Sequence, residues 1–190
     1  MTMKPLSPNR GFTLIETMVA VSILTLSVAG PLFTASRAIV ASVTARDQLT
    51  ASYLAQEGIE YVRAMRDNAF LSAYQAGGAN ISTAAWVEFL TGASSSSITQ
   101  CRATSCSLDT YPVAPLGLQS GSATPLYLVN GFYTQKTTLG GVQTPFTRTV
   151  QIIDASPSGA TDVQIVSTVT WSYHEAPYIV RVYDHLTPWQ

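Results

Sequence analysis

The sequence predicts an α+β chain: one long N-terminal helix, from about residue 12 to 67, packed by its C-terminal half on an antiparallel sheet of about four strands. Three observations predict it. From Phe12 to Ser36 the chain carries a single charge, Glu16. From Arg37 to about Asp67 the apolar residues recur at helical spacing on one face. From Leu126 onward, runs rich in Val, Ile, Thr and aromatic residues alternate and are separated by turn residues.

The first element is the apolar run. As a helix rising about 1.5 Å per residue, Phe12 to Ser36 reaches roughly 37 Å, enough to cross a hydrocarbon core of about 30 Å. Glu16 is out of place there. An acid within a bilayer costs on the order of 2.5–3.5 kcal/mol, and nothing in the segment pairs with it. The carboxylate therefore calls for a partner from another chain. Gly30-Pro31 interrupts the run. Proline removes a helix hydrogen bond and clashes with the preceding turn, which predicts a kink or loosened turn, although membrane helices also tolerate proline.

Ahead of the run, Met1 to Gly11 is a short leader with Lys4 and Arg10. Its charge favours a cytoplasmic N-terminus, a bias that Arg37 and Arg46 on the far side weaken. A secretory signal is cut after an apolar core of about 7–15 residues. Val28-Ala29-Gly30 loosely fits such a site, but Pro31 follows directly and the apolar run is too long.

Gly11-Phe12-Thr13-Leu14-Ile15-Glu16, behind a basic leader and ahead of an apolar run, resembles the type III signal of type IV pilins and type II secretion pseudopilins. The resemblance implies a pilin-like fold and cleavage by a prepilin peptidase between Gly11 and Phe12. It also implies N-methylation of Phe12 and pairing of Glu16 with the N-terminal amine of a neighbouring subunit during filament assembly. That pairing is physically consistent: an α-amine is cationic at neutral pH, and opposite charges attract far more strongly in low dielectric than in water. Helix breaks like Gly30-Pro31 occur in the family and let subunits pack. The implied organisation is a leader at 1–11, a transmembrane and filament-core helix at 12–36, and a head at 37–190 that includes the amphipathic half of the long helix. The implied location is the inner membrane, single-pass with the N-terminus cytoplasmic, and then the pilus or cell surface. The implied partners are other pilins or pseudopilins, the peptidase and inner-membrane lipid.

In the second half of the helix, Ala51, Leu54, Ala55, Gly58, Val62, Met65 and Ala69 form one face. Glu57, Glu60, Arg63 and Asp67 fall opposite, with Glu60–Arg63 and Arg63–Asp67 spaced for ion pairs worth about 0.2–0.5 kcal/mol each. The run Gln56 to Asn68 resembles the end of the long helix in minor pilins of the PilV type. The closing Leu186-Thr187-Pro188-Trp189 resembles how such chains end. The same residues read equally well as a solvated helix face and a pinned terminus.

Ala76-Gly-Gly-Ala-Asn80 is a turn signal. Ser82 to Leu90 reads as a short helix with Trp86 in the core, and Gly92 to Thr99 as a Ser-rich loop. The strands follow: Leu126 to Thr134, Pro145 to Asp154, Thr161 to Tyr173 and Tyr178 to Leu186. In the third, Val163, Ile165, Val169, Trp171 and Tyr173 point one way and Gln164, Thr168, Thr170 and Ser172 the other. Asp154 to Thr161 and His174 to Pro177 are turn chemistry. Short links between successive strands predict a meander whose apolar face the helix covers.

Cys101 and Cys106 enclose four residues, which is neither the C-x-x-C of redox enzymes nor a zinc set. In an exported chain the expectation is a disulfide; the alternative is two buried free thiols. Charged residues are 11% of the chain and the net charge is −1. Loss of Lys4 and Arg10 with the leader makes the balance more acidic, which argues against nucleic acid as the main partner. No H-E-x-x-H, G-x-S-x-G, P-loop or G-x-G-x-x-G is present, so no catalytic residue, cofactor or enzymatic activity is expected. A metal site from His174 and His185 would need the strands to bring them together. The readings are a filament subunit, a tethered binding module, or a secreted enzyme with a mature start near Pro31. An exposed aromatic patch among Tyr111, Tyr127, Tyr133 and Tyr178 would favour the module.

Overall fold

The computed structural model describes residues 11–91, 98–112, 117–121, 123–154 and 161–188. The leader before Gly11, most of the Ser-rich loop, the interior of the 154–161 link and Trp189 lie outside them. The chain divides into two compact units, 1–45 and 46–190. Helix α1, Leu14–Ala76, supplies residues to both.

In the second unit, α1 buries Asp47, Ala51, Leu54, Ala55, Gly58, Ile59 and Val62, with Met65 and Ala69 packed at the border of the core. This is the face that the helical spacing predicts. The helix ends later than the expected residue 67. Residues 68–75 contain no breaker, and termination waits for Gly77. That glycine takes a left-handed φ of 69° and donates its N–H to the Tyr74 carbonyl at 3.2 Å. The apolar stripe marks the packed part of the helix, not its full length. Helix α2, Ile81–Thr91, follows as expected and buries Trp86 and Phe89. Helix α3, Gln100–Ala103, is a single turn.

The sheet is antiparallel as expected but has seven strands, not about four: β1 Cys106–Asp109, β2 Gly117–Ser120, β3 Pro125–Val129, β4 Phe132–Thr134, β5 Val142–Asp154, β6 Val163–Tyr173 and β7 Ala176–Leu186. The physical reasons differ by strand. The run Leu126 to Thr134 is a hairpin folded at Asn130-Gly131, so it supplies two strands. Strand β1 has only four residues, Cys-Ser-Leu-Asp, too few for a pattern, and is buried at every one, polar residues included. Only β5, β6 and β7 form the expected meander. The other edge of β5 is shared by β1, at Thr149 and Val150, and by β3, at Val142, Gln143 and Thr147. Between the two β3 contacts the register shifts. Pro145, which has no N–H to give, sits in that irregular stretch.

Two apolar clusters fill the space between helix and sheet. One gathers Ile59, Val62, Trp86, Phe89 and the disulfide around Ile152 and Ile165. The other gathers Ala51, Leu54 and Ala55 against Leu126, Phe146, Val169 and Trp171. In β6 the predicted inward residues are the buried ones, except Tyr173, which is half-buried. Val166 is also buried, on the opposite face. Ser167 joins the inward set, and its reason is Gly58. A Cβ at Gly58 would lie 3.2 Å from Ser167 Cβ and 3.3 Å from Val150 Cγ2, and closer still to Ser167 Oγ. The helix therefore approaches the sheet through a residue without a side chain.

Replacing Gly58 with alanine gains about 1 kcal/mol of helix propensity but overpacks this contact, typically at about 1–3 kcal/mol. The expected net effect is destabilisation. In a Ser167→Ala background the nearest obstruction is gone and the cost should shrink. Ser167 Oγ is itself buried without a hydrogen-bond partner, so its loss carries little penalty. Urea denaturation of the four proteins of this cycle reads the coupling directly. An unchanged cost in the Ser167→Ala background would show that the hydroxyl is not the obstacle.

Candidate functional site

Gly11, Phe12 and Thr13 are not helical and lead directly into α1. Phe12 is 81% exposed, and a Cβ on Gly11 would meet nothing within 4 Å. Thr13 caps the helix: its Oγ1 accepts the Glu16 N–H at 3.3 Å and its carbonyl accepts the Thr17 N–H at 3.2 Å. The peptide bond between Gly11 and Phe12 thus lies just outside the helix.

Glu16 lies in the first turn of α1, where an acid complements the helix dipole. Its carboxylate has no hydrogen bond or ion pair among the described residues. The stem around it is apolar enough to cross a membrane by length and composition, with a mean hydropathy of 1.9 over its best 18-residue window. The stem's hydroxyls are folded back on its own backbone. Thr17, Ser22, Thr25, Ser27 and Ser36 each donate to a carbonyl three or four residues earlier, at 2.8–2.9 Å. This internal satisfaction is what a hydroxyl needs in hydrocarbon. Glu16 has no such arrangement among the described residues, which sets it apart from these hydroxyls. Pro31 lies inside α1 and cannot donate to the Ser27 carbonyl. Thr34 Oγ1 donates to the carbonyls of Pro31 at 2.9 Å and Gly30 at 3.3 Å. The Arg37 guanidinium stands 5.2 Å from the Phe33 ring, a cation at the end of the apolar run.

In the head, Cys101 and Cys106 form the expected disulfide. Both are fully buried and tie α3 to the start of β1. Sequence reasoning missed the polar clamp beside them. Arg148 of β5 is fully buried. Its Nη1 donates to the Leu54 carbonyl at 3.2 Å and to Glu57 Oε2 at 2.5 Å. Its Nη2 donates to the Leu108 carbonyl at 3.0 Å. Glu57 Oε1 also accepts from Thr110 Oγ1. Glu57 is therefore an anchor between helix and sheet, not only a member of the solvated face. Buried Asp109 accepts from Thr134 Oγ1 and the Tyr111 N–H, both at 3.1 Å. Burial, and secondarily Asp109, push the Tyr61 hydroxyl's pKa up. The signal for Arg148 was present: it alternates with Phe146 and Val150 on the inward face of β5. An arginine in such a register demands a carboxylate.

The expected Glu60–Arg63 pair is present at 2.6 Å. Arg63 takes its second partner from β7, Asp184 at 2.9 Å, and Asp67 pairs with Arg66. The four tyrosines do not form an exposed patch. Each is half-buried: Tyr111 sits edge-on to Phe132, Tyr133 edge-on to Phe146, and Tyr178 stacks on Trp171. His174 is in the β6–β7 turn, whereas His185 sits near the other end of β7, with Asp162 at 3.0 Å. The strands hold the two histidines apart. Among the described residues no group of three or more His, Cys, Asp or Glu is placed to hold a metal.

The chain matches the family model described as the prokaryotic N-terminal methylation motif over residues 6–30, a stretch that contains Gly11, Phe12, Glu16 and Gly30. With the apolar stem and the helix-on-sheet head, this motif supports a type IV pilin or pseudopilin. No curated protein and no solved structure matches it.

Proposed function

We propose that this protein is a minor subunit of a type IV pilus-like filament. Prepilin peptidase cuts it between Gly11 and Phe12, Phe12 is N-methylated, and the stem from Phe12 to Ser36 assembles among other stems. Before assembly the stem spans the inner membrane with its N-terminus in the cytoplasm and its head outside. The observation that carries this reading is the methylation motif at the start of an apolar stem whose one acid has no partner among the described residues. Gly30-Pro31 is the point where the stem bends or loosens to pack. The minor, PilV-type assignment rests on the run Gln56 to Asn68 and the closing Leu186-Thr187-Pro188-Trp189. A secretion pseudopilin has the same N-terminal chemistry and is the second reading. A tethered binding module is less favoured, because each of the four tyrosines that would form its patch is half-buried.

The test is the intact mass of the native protein. It is expected to begin at Phe12 and to carry one added methyl group. Because a Cβ at Gly11 would meet nothing among the described residues, Gly11→Val should leave the head's thermal unfolding unchanged and still block processing. The peptidase would then be what demands glycine. A native protein that begins at Met1, or beyond the stem, would overturn the proposal.

A further inference from the structure

Strand β7 is paired with β6 along its whole length, from Ala176 to Leu186, and no strand pairs with its other edge among the described residues. An open row of backbone N–H and C=O groups is a template for another strand, and proteins usually blunt it with a bulge, lysines or a very short strand. Strand β7 has none of these: it runs 11 residues without a register shift or a lysine, and its only proline, Pro177, is near its start. The packing beside it is also unfinished. Tyr178, Val180 and Val182 face inward and pack against the core, yet each is only half-buried. On the outer face Ile179 is 48% and Tyr183 57% exposed. Between them Arg181 is exposed and has no ion pair among the described residues.

We propose that the free edge of β7 is completed by an extended strand from a different protein of the filament, one that places a carboxylate beside Arg181. Backbone pairing would supply the attachment and the alternating side chains the selectivity. The strand's inward residues would close the core over Val180 and Val182. A second copy of this chain fits poorly. Its other edge strands, Gly117–Ser120 and Phe132–Thr134, are short and carry no acid. Pairing β7 with itself sets Arg181 near Tyr183, His185 or another Arg181, because the one acid of the strand, Asp184, is on the inward row and held by Arg63 at 2.9 Å.

This inference rests on the filament reading, and hydrogen exchange can separate the two. Exchange is measured on the full mature chain in isolated filaments and on the same chain in detergent micelles. Amides within 177–185 are expected to exchange at least tenfold more slowly in filaments, while those of β6 stay as they are. Arg181→Glu should still enter filaments through its stem but lose most of this protection; its melting temperature in detergent, unchanged, shows that the head is folded. Filaments that contain the chain with β7 amides no slower than in detergent overturn the inference and leave the filament reading standing. Protection that arises in detergent as the protein is concentrated overturns it in favour of self-pairing. Full protection in the Arg181→Glu filament overturns the acidic partner. Absence of the chain from isolated filaments sinks both readings.

Discussion

Glu57→Ala is expected to destabilise the head by about 2–3 kcal/mol. The substitution leaves the Arg148 guanidinium, fully buried, with two carbonyl partners and no counter-charge. Breaking a buried ion pair from one side typically costs about 3–5 kcal/mol. The lower figure applies here because 42% of the Glu57 side chain is exposed, so water already screens the pair. The opposite truncation is not equivalent. Arg148→Met leaves a carboxylate that can turn into solvent and keep its contact with Thr110, and it fills the same volume with apolar atoms. It should therefore cost less than Glu57→Ala, and the double variant Glu57→Ala/Arg148→Met less than Glu57→Ala alone. Urea denaturation of the full chain in detergent, followed through tryptophan fluorescence, gives all three values. If Glu57→Ala stays within about 0.5 kcal/mol of the parent, as an ordinary surface substitution does, the clamp contributes nothing and Arg148 is satisfied by carbonyls alone.

The same pair shows what a sequence displays and what it hides. The stem was legible because a membrane segment is defined by composition alone, and a single acid in it stands out without any knowledge of the fold. The helix face from Ala51 to Val62 was legible because its spacing repeats. For Arg148 the inward register was displayed but the partners were not, since Leu54, Glu57 and Leu108 are brought together only when helix and sheet meet. The strands divide in the same way. Strands β5, β6 and β7 run 11 to 13 residues and display their alternation. Strands β1 and β2 have four residues each, and the Cys-Ser-Leu-Asp of β1 is too short for a repeat to stand out. The end of α1 was misplaced because the sheet stops needing the helix near Ala69, while the helix itself stops only at a residue that can turn left-handed.

Glu16→Ala is expected to leave the protein stable in the membrane and to remove it from filaments. The two effects have opposite signs for one reason. In the single chain the carboxylate has no partner among the described residues, and an acid near the bilayer interior costs up to about 3 kcal/mol; alanine relieves that cost. In a filament the proposed partner is the methylated amine of a neighbouring Phe12, and the attraction grows as water is excluded from the packed stems. A contact worth about 3 kcal/mol corresponds to a factor of roughly 100 in an equilibrium constant, so incorporation measured by immunoblotting of sheared filaments should fall by one to two orders of magnitude. Glu16→Gln separates charge from size: it keeps the side chain's length and hydrogen bonding, and should behave like alanine if the ion pair is what matters. Processing should continue in both variants, which the mass of the N-terminal peptide confirms. Undiminished incorporation of Glu16→Ala would mean that the stem is drawn into the filament by apolar packing alone, with the acid left as a bystander.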